Sequence, residues 1–154
     1  MYKQIVVGTD GSAGANVALD AAIELARLTG ATLHIVNAHQ FATAHHLAAA
    51  SQVGIPAVDI VESEEVIRRE AKRVCDEAVQ RAADAGVSAE AHSVVGDAAD
   101  GLLRVADDTA ADLLVVGNRG MSGVRRFVLG SVPNRLSHHC ASSLLIVDTN
   151  EARA

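Results

Sequence analysis

Short apolar runs alternate along the chain with longer stretches in which apolar residues recur every three or four positions. Gln4 to Gly8 is a β-branched run that stops at Thr9-Asp10-Gly11-Ser12, the pattern of a buried parallel strand followed by a turn. From Ala13 to Thr29, Val17, Ala21, Ile23 to Leu25 and Leu28 repeat at helical spacing, with Ser12 suited to the N-cap and Gly30 to the C-terminal stop. Thr32 to Ala38 predicts a second strand, and strand, helix and strand together predict a right-handed crossover. Residues 39–60, rich in alanine and histidine and carrying Gly54 and Pro56, read as a variable, partly helical excursion over the carboxyl edge of the sheet. Ser63 to Ala85 predicts a long helix capped by Ser63 and ended by Gly86, with Val66, Ile67, Val74, Ala78, Val79 and Ala82 inward. Ser88 to Val95 is a third strand. Gly96-Asp97 turns into a helix from about Ala99 to Thr109, with Leu102, Leu103 and Ala106 inward. The runs Leu113 to Val116 and Leu144 to Val147 supply strands four and five, separated by a glycine-rich loop and a helix starting near Val132. Strands alternating with helices predict an α/β fold, a parallel sheet covered on both faces.

Composition narrows this picture. At 154 residues the chain is one domain by length, with residues 2–148 forming it and 149–154 a polar tail. Nearly half the residues are hydrophobic, yet the aromatics are only Tyr2, Phe41 and Phe127, so the core is built from Ala, Val, Leu and Ile. A net charge of −6 argues against general nucleic-acid or anionic-membrane binding. No apolar run reaches membrane-spanning length, and the N-terminus lacks the apolar segment of a signal peptide. Cys75 and Cys140 are far apart and form no CxxC, which predicts reduced thiols in a cytoplasmic protein. His45-His46 and His138-His139 are adjacent pairs that diverge by about 100° on a helix and so chelate poorly. They read as structural or surface residues, and no metal ligand is assigned.

The candidate chemistry lies between Leu113 and Val147. This stretch has no Asp or Glu but carries Arg119, Arg125, Arg126 and Arg135, with glycines at 117, 120, 123 and 130. Glycines let backbone N–H groups approach a ligand. Ser131 suits the N-cap of the following helix, and Pro133 its first turn, where no donor is needed. A strand, a glycine loop and a helix start make a phosphate cradle; the alternative is a surface loop whose glycines only form turns. Two familiar phosphate motifs fail. The only lysines are Lys3 and Lys72, outside any glycine loop, so a P-loop is absent, and the glycine spacing is not G-x-G-x-x-G.

The spacing does match another pattern. Gly117-Asn118-Arg119-Gly120, nine residues from Met121 to Leu129, then Gly130-Ser131, resembles the nucleotide-binding motif of the universal stress protein family, G-x-x-G-(nine residues)-G-[ST]. The resemblance extends from Tyr2 to about Val147. It implies a Rossmann-like, doubly wound five-stranded parallel sheet in the order 3-2-1-4-5, helices on both faces, with a ligand crevice at the switch point between strands one and four. It also implies an adenine nucleotide there: ATP, with Mg2+ accompanying it, or a monophosphate, AMP or cAMP. Gly120, Gly130, Ser131 and Val132 would take phosphate, with Arg119, Arg125 or Arg126 adding charge. Asp10 would repel phosphate and so faces ribose or adenine. Gly8 and Thr9 would flank the base, Val36 with Ala38 nearby would read it by the main chain, and Gly117 would flank the ribose. Val116, Asn118, Met121, Ser122, Gly123 and Pro133 complete the expected binding set.

Two departures qualify the resemblance. Asn118 stands where Ser or Thr is frequent, and Pro133 removes a donor and a hydroxyl from the first helical turn, which disfavours tight triphosphate binding. No general base is evident, so a regulatory nucleotide-binding role is expected, with a slow ATPase or phosphotransfer enzyme as the alternative. A flavin module is disfavoured by the scarce aromatics. The short apolar edge from Leu144 to Val147 predicts a two-fold dimer through strand five, an arrangement common in the resembling family.

Overall fold

The structure, a computed structural model, describes residues 1–41, 48–49, 51–54, 56–118 and 129–149. Its strands are β1 (Gln4–Gly8), β2 (Thr32–His39), β3 (Ala89–Val95), β4 (Leu113–Gly117) and β5 (Ser143–Val147). Its principal helices are α1 (Ala13–Thr29), α2 (Ala57–Asp84), α3 (Ala98–Asp108) and α4 (Ser131–His139). All strand pairings are parallel and the order is β3-β2-β1-β4-β5, the doubly wound arrangement expected. β1 is central, with Val7 opposite Ile35 on one side and Val115 on the other.

Alternation along the strands divides the core in two. Ile5, Val7, Leu33, Ile35, Leu113 and Val115 point to one face, where Leu19, Ala22 and Ala26 of α1 and Ala78 and Ala82 of α2 cover them. Val6, Val36, Leu114 and Val116 point to the other, under Leu102 and Val105 of α3 and Leu136 of α4. The apolar runs of β1, β2 and β4 read as continuous because these inner strands are buried on both faces, whereas the edge strands β3 and β5 are not.

Caps hold where the sequence places a short polar side chain before a helix. Ser12 Oγ accepts from the Ala15 N–H at 3.2 Å, and Asp97 Oδ1 from Asp100 at 3.1 Å. Gly30 ends α1 with φ +70°, a conformation that favours glycine.

The helix faces correct part of the expectation. Val17 and Leu28 of α1 are 41% and 64% exposed, and the buried stripe is Ala18, Leu19, Ala22, Ile23 and Ala26. At about 100° per residue, Val17 and Leu28 fall on the side opposite Ala26. Small alanines, not the larger aliphatics, let this helix lie close to the sheet. Val66 of α2 likewise turns outward, while Ala71, Val74, Cys75, Ala78 and Ala82 are buried. α2 also starts at Ala57, six residues before Ser63; the Ser63 hydroxyl donates to the Asp59 carbonyl inside the helix and caps nothing. Pro56 stands at the N-cap and Asp59 meets the positive end of the dipole. The excursion before it contains helical residues at 48–49 and 51–52.

Candidate functional site

The carboxyl ends of β1 and β4 and the start of α4 converge on one crevice. Gly8 closes β1, and α3 packs directly on it: a Cβ at Gly8 would lie 3.1 Å from Leu102 Cδ1. Thr9 is buried, and its N–H donates to the Val36 carbonyl at 2.9 Å, joining the turn to β2. The buried Asn37 amide donates to the Thr9 carbonyl at 2.9 Å, and Thr9 Oγ1 accepts from the Gly11 N–H at 3.2 Å. Asp10 Oδ1 accepts from the Ser12 N–H at 2.9 Å, so the carboxylate shapes the turn as well as facing the crevice. Gly11 has φ +78°, and a Cβ there would come within 2.9 Å of Val74 Cγ2. A left-handed turn wedged against α2 therefore requires glycine at that point.

The other wall is built around Asn118, one residue past β4. Its N–H donates to the Val147 carbonyl and its own carbonyl accepts from the Gly130 N–H, both at 2.9 Å. Its side chain turns toward the C-terminus: Nδ2 donates to Asp148 at 3.0 Å, and Oδ1 accepts from the Thr149 N–H at 3.1 Å and its hydroxyl at 2.7 Å. α4 begins at Ser131 with Gly130 at the N-cap, so Ser131 is the first helical residue and not the cap. The physical reason is the extended Gly130 backbone, φ −60° and ψ 162°, which places the cap one residue earlier. Pro133 is buried in the first turn and offers no donor. The Gly130 N–H is already used, which leaves the Ser131 and Val132 N–H groups as those the helix itself cannot pair.

A crevice of about 170 Å³ lies between the walls. Of the residues singled out from the sequence, Gly8, Thr9, Asp10, Val36, Ala38, Val116, Gly117, Gly130, Ser131, Val132 and Pro133 line it. Asn118 does not; it supports the wall from behind. Arg119, Gly120, Met121, Ser122 and Gly123, together with Arg125 and Arg126, lie outside the described residues. Asp10 is the one charged residue among the described lining residues. Arg135 aims elsewhere, bridging α4 to the start of α3 through Asp97 at 3.2 Å and Asp100 at 2.5 Å.

Sequence reasoning missed Ala15, Ala98 and Leu102 in the lining, and Asn37 behind it. The lining residues carry no chemical signal of their own. Asn37 does, as the one amide inside the apolar run of β2.

The family model for the universal stress protein family matches residues 1–148. The chain belongs to the universal stress protein family. Its relatives include universal stress protein YxiE of Bacillus subtilis, 33% identical, with 96% of this chain and 99% of that protein covered. Universal stress protein Rv1636 of Mycobacterium tuberculosis is 36% identical, with 96% and 97% covered. Among solved structures, a universal stress protein in complex with cAMP is 34% identical, covers 97% of this chain and 98% of its own, and superposes with a TM-score of 0.70. The fold is therefore that of a universal stress protein over essentially its whole length. No described helix is long and apolar enough to cross a membrane.

Proposed function

We propose that this universal stress protein binds an adenine nucleotide in the β1/β4 crevice and acts as a nucleotide-dependent regulatory protein. The observation that carries the reading is the meeting of the β1 and β4 ends with the N-terminus of α4 in one cleft. Two unpaired N–H groups and a positive helix end suit a phosphate, and the Asp10 carboxylate across the cleft suits ribose or adenine donors. The related protein in complex with cAMP supports the same ligand class. Val36 already gives its carbonyl to Thr9, so base recognition falls to its remaining lone pair and to Ala38.

A monophosphate, AMP or cAMP, is favoured over ATP with Mg2+. Pro133 deletes one of the three donors that a first helical turn usually offers, and Gly130 has spent its own on Asn118. The protein is proposed to work in the cytoplasm, where its two free thiols would persist, and as a homodimer through the half-buried edge Leu144–Val147.

The test is to pass the purified protein over a sizing column, denature the peak and identify the released small molecules by mass spectrometry, then titrate stripped protein with AMP, cAMP and ATP. A dimer-sized peak and a monophosphate Kd at least tenfold below that for ATP are expected. Tighter ATP binding overturns the Pro133 argument, a monomer overturns the edge pairing, and no adenine nucleotide binding at all overturns the function.

A further inference from the structure

Among the described residues, one cluster of ligating side chains lies outside the crevice, on β2 and the edge strand β3 beside it. His34 on β2 is opposite Glu90 in the parallel register, and His92 follows Glu90 by two residues, so all three side chains share one face of the sheet. His34 Nδ1 lies 3.1 Å from His92 Nε2 and 3.7 Å from Glu90 Oε2. One ligand atom from each residue falls within 4.8 Å of the others. We propose that His34, Glu90 and His92 form a binding site for a divalent transition metal of the zinc class.

The distances suit such an ion. Two nitrogens each about 2.0–2.1 Å from a tetrahedral zinc sit roughly 3.3 Å apart. The His34–His92 pair is already near that separation, and the Glu90 carboxylate, on a side chain 65% exposed, has room to close the remaining gap. Two imidazoles and one carboxylate select zinc and its neighbours over calcium or magnesium, which take oxygen. A fourth position is left for water on the exposed side.

The ring beneath is held for the task. His34 is buried, and its Nε2 lies 2.8 Å from Gln4 Oε1, an acceptor, so Nε2 carries the proton and Nδ1 presents a lone pair toward His92. A ligating histidine commonly donates its other N–H in this way, which fixes both tautomer and orientation. Burial, and then the neighbouring His92, hold the His34 imidazole below its ordinary protonation range, with Glu90 acting in the opposite sense. Without metal, His92 donates its Nε2 proton to His34. With metal bound, the His92 Nε2 lone pair would face the ion, the ring proton being carried by Nδ1. The ion would tie the edge strand β3 to β2.

Untagged full-length protein, stripped with chelator, is titrated with zinc by calorimetry and with cobalt by visible absorption. One ion per chain with a micromolar or tighter Kd and the absorption bands of four-coordinate cobalt are expected. His92→Ala and Glu90→Gln, both outside the packed core, weaken zinc at least tenfold with circular dichroism unchanged, and Gln4→Ala weakens it several-fold. A His138→Ala/His139→Ala double variant retains wild-type affinity. No stoichiometric zinc in the wild type, or a Kd that follows His138 and His139 and ignores His92 and Glu90, overturns the assignment.

Discussion

The two walls of the crevice are braced in opposite ways. The β1 wall is braced from inside the fold: Asn37, itself buried, holds the Thr9 carbonyl, Thr9 holds Gly11 and Val36, and Asp10 holds Ser12. The β4 wall is braced from outside. Asn118 fixes Gly130 by its carbonyl and is itself held by Asp148 and Thr149, the last described residues of the chain. A buried bond left unmade costs more than an exposed one, because water replaces only the latter. The β1 wall, the proposed nucleoside side, is thus set by the core, while the β4 wall, the proposed phosphate side, depends on a C-terminal tether that solvent can compete for. In energetic terms the first wall is preformed and the second is adjustable.

Asn37→Ala should show the largest effect. It strands the Thr9 carbonyl in a buried place, which costs about 1–3 kcal/mol of stability, measured by urea unfolding. Since the whole nucleoside wall rests on that turn, affinity for adenosine and for AMP should fall together. An Asn37→Ala protein that binds adenosine normally would break the comparison, because the inner bracing would then be irrelevant to the ligand.

The strands and the crevice were legible from the chain because their signals are local. β1 and β4 are short apolar runs that end in glycine, and the glycine spacing from Gly117 to Gly130 survives any uncertainty about helix boundaries. Helix faces were less legible. In α1 the buried stripe is mostly alanine, whose weak hydrophobicity hides the period, while Val17 and Leu28 imitate a stripe on the wrong side. The start of α2 was hidden because Pro56 opens it without a side-chain cap. Partners brought together only by strand pairing were invisible: His34 and His92 are 58 residues apart, and neither belongs to an adjacent histidine pair. The tether made by Asn118 was equally invisible, since its partners Asp148 and Thr149 lie 30 and 31 residues further along the chain.

Asn118→Ala sharpens the contrast at intermediate size. The substitution removes three hydrogen bonds that are exposed or half-buried, so stability should fall by about 1 kcal/mol or less. The ligand effect should be selective. Adenosine, which has no phosphate, should bind as before, while AMP should weaken about fivefold, equivalent to roughly 1 kcal/mol. Parallel titrations of the two ligands read this as a change in their affinity ratio. An unchanged ratio would mean that the tether does not position the phosphate wall.

A kinetic measurement tests the rigidity of the inner brace directly. Cys75 lies buried in α2 below the β1 wall, whereas Cys140, just past α4, is half-buried. Burial, reinforced by the Asp76 carboxylate, pushes the Cys75 thiol above its ordinary range, against the weaker opposing influence of the Asn37 backbone and Lys72. A raised value means less thiolate at neutral pH, and thiolate is the reactive form. A disulfide reagent at pH 7 should therefore modify one thiol per chain promptly, at Cys140, and reach Cys75 only through opening of the fold. Raising the pH speeds the Cys75 reaction in proportion to its thiolate, and bound nucleotide slows it by stabilising the closed state. In Asn37→Ala the Cys75 reaction should accelerate at least about tenfold while Cys140 is unaffected; in Asn118→Ala the Cys75 reaction should accelerate by about fivefold or less, in line with the smaller loss of stability. Equal acceleration of Cys75 in both variants would show that the two walls are one cooperative unit, and the division between an inner brace and an outer tether would fall.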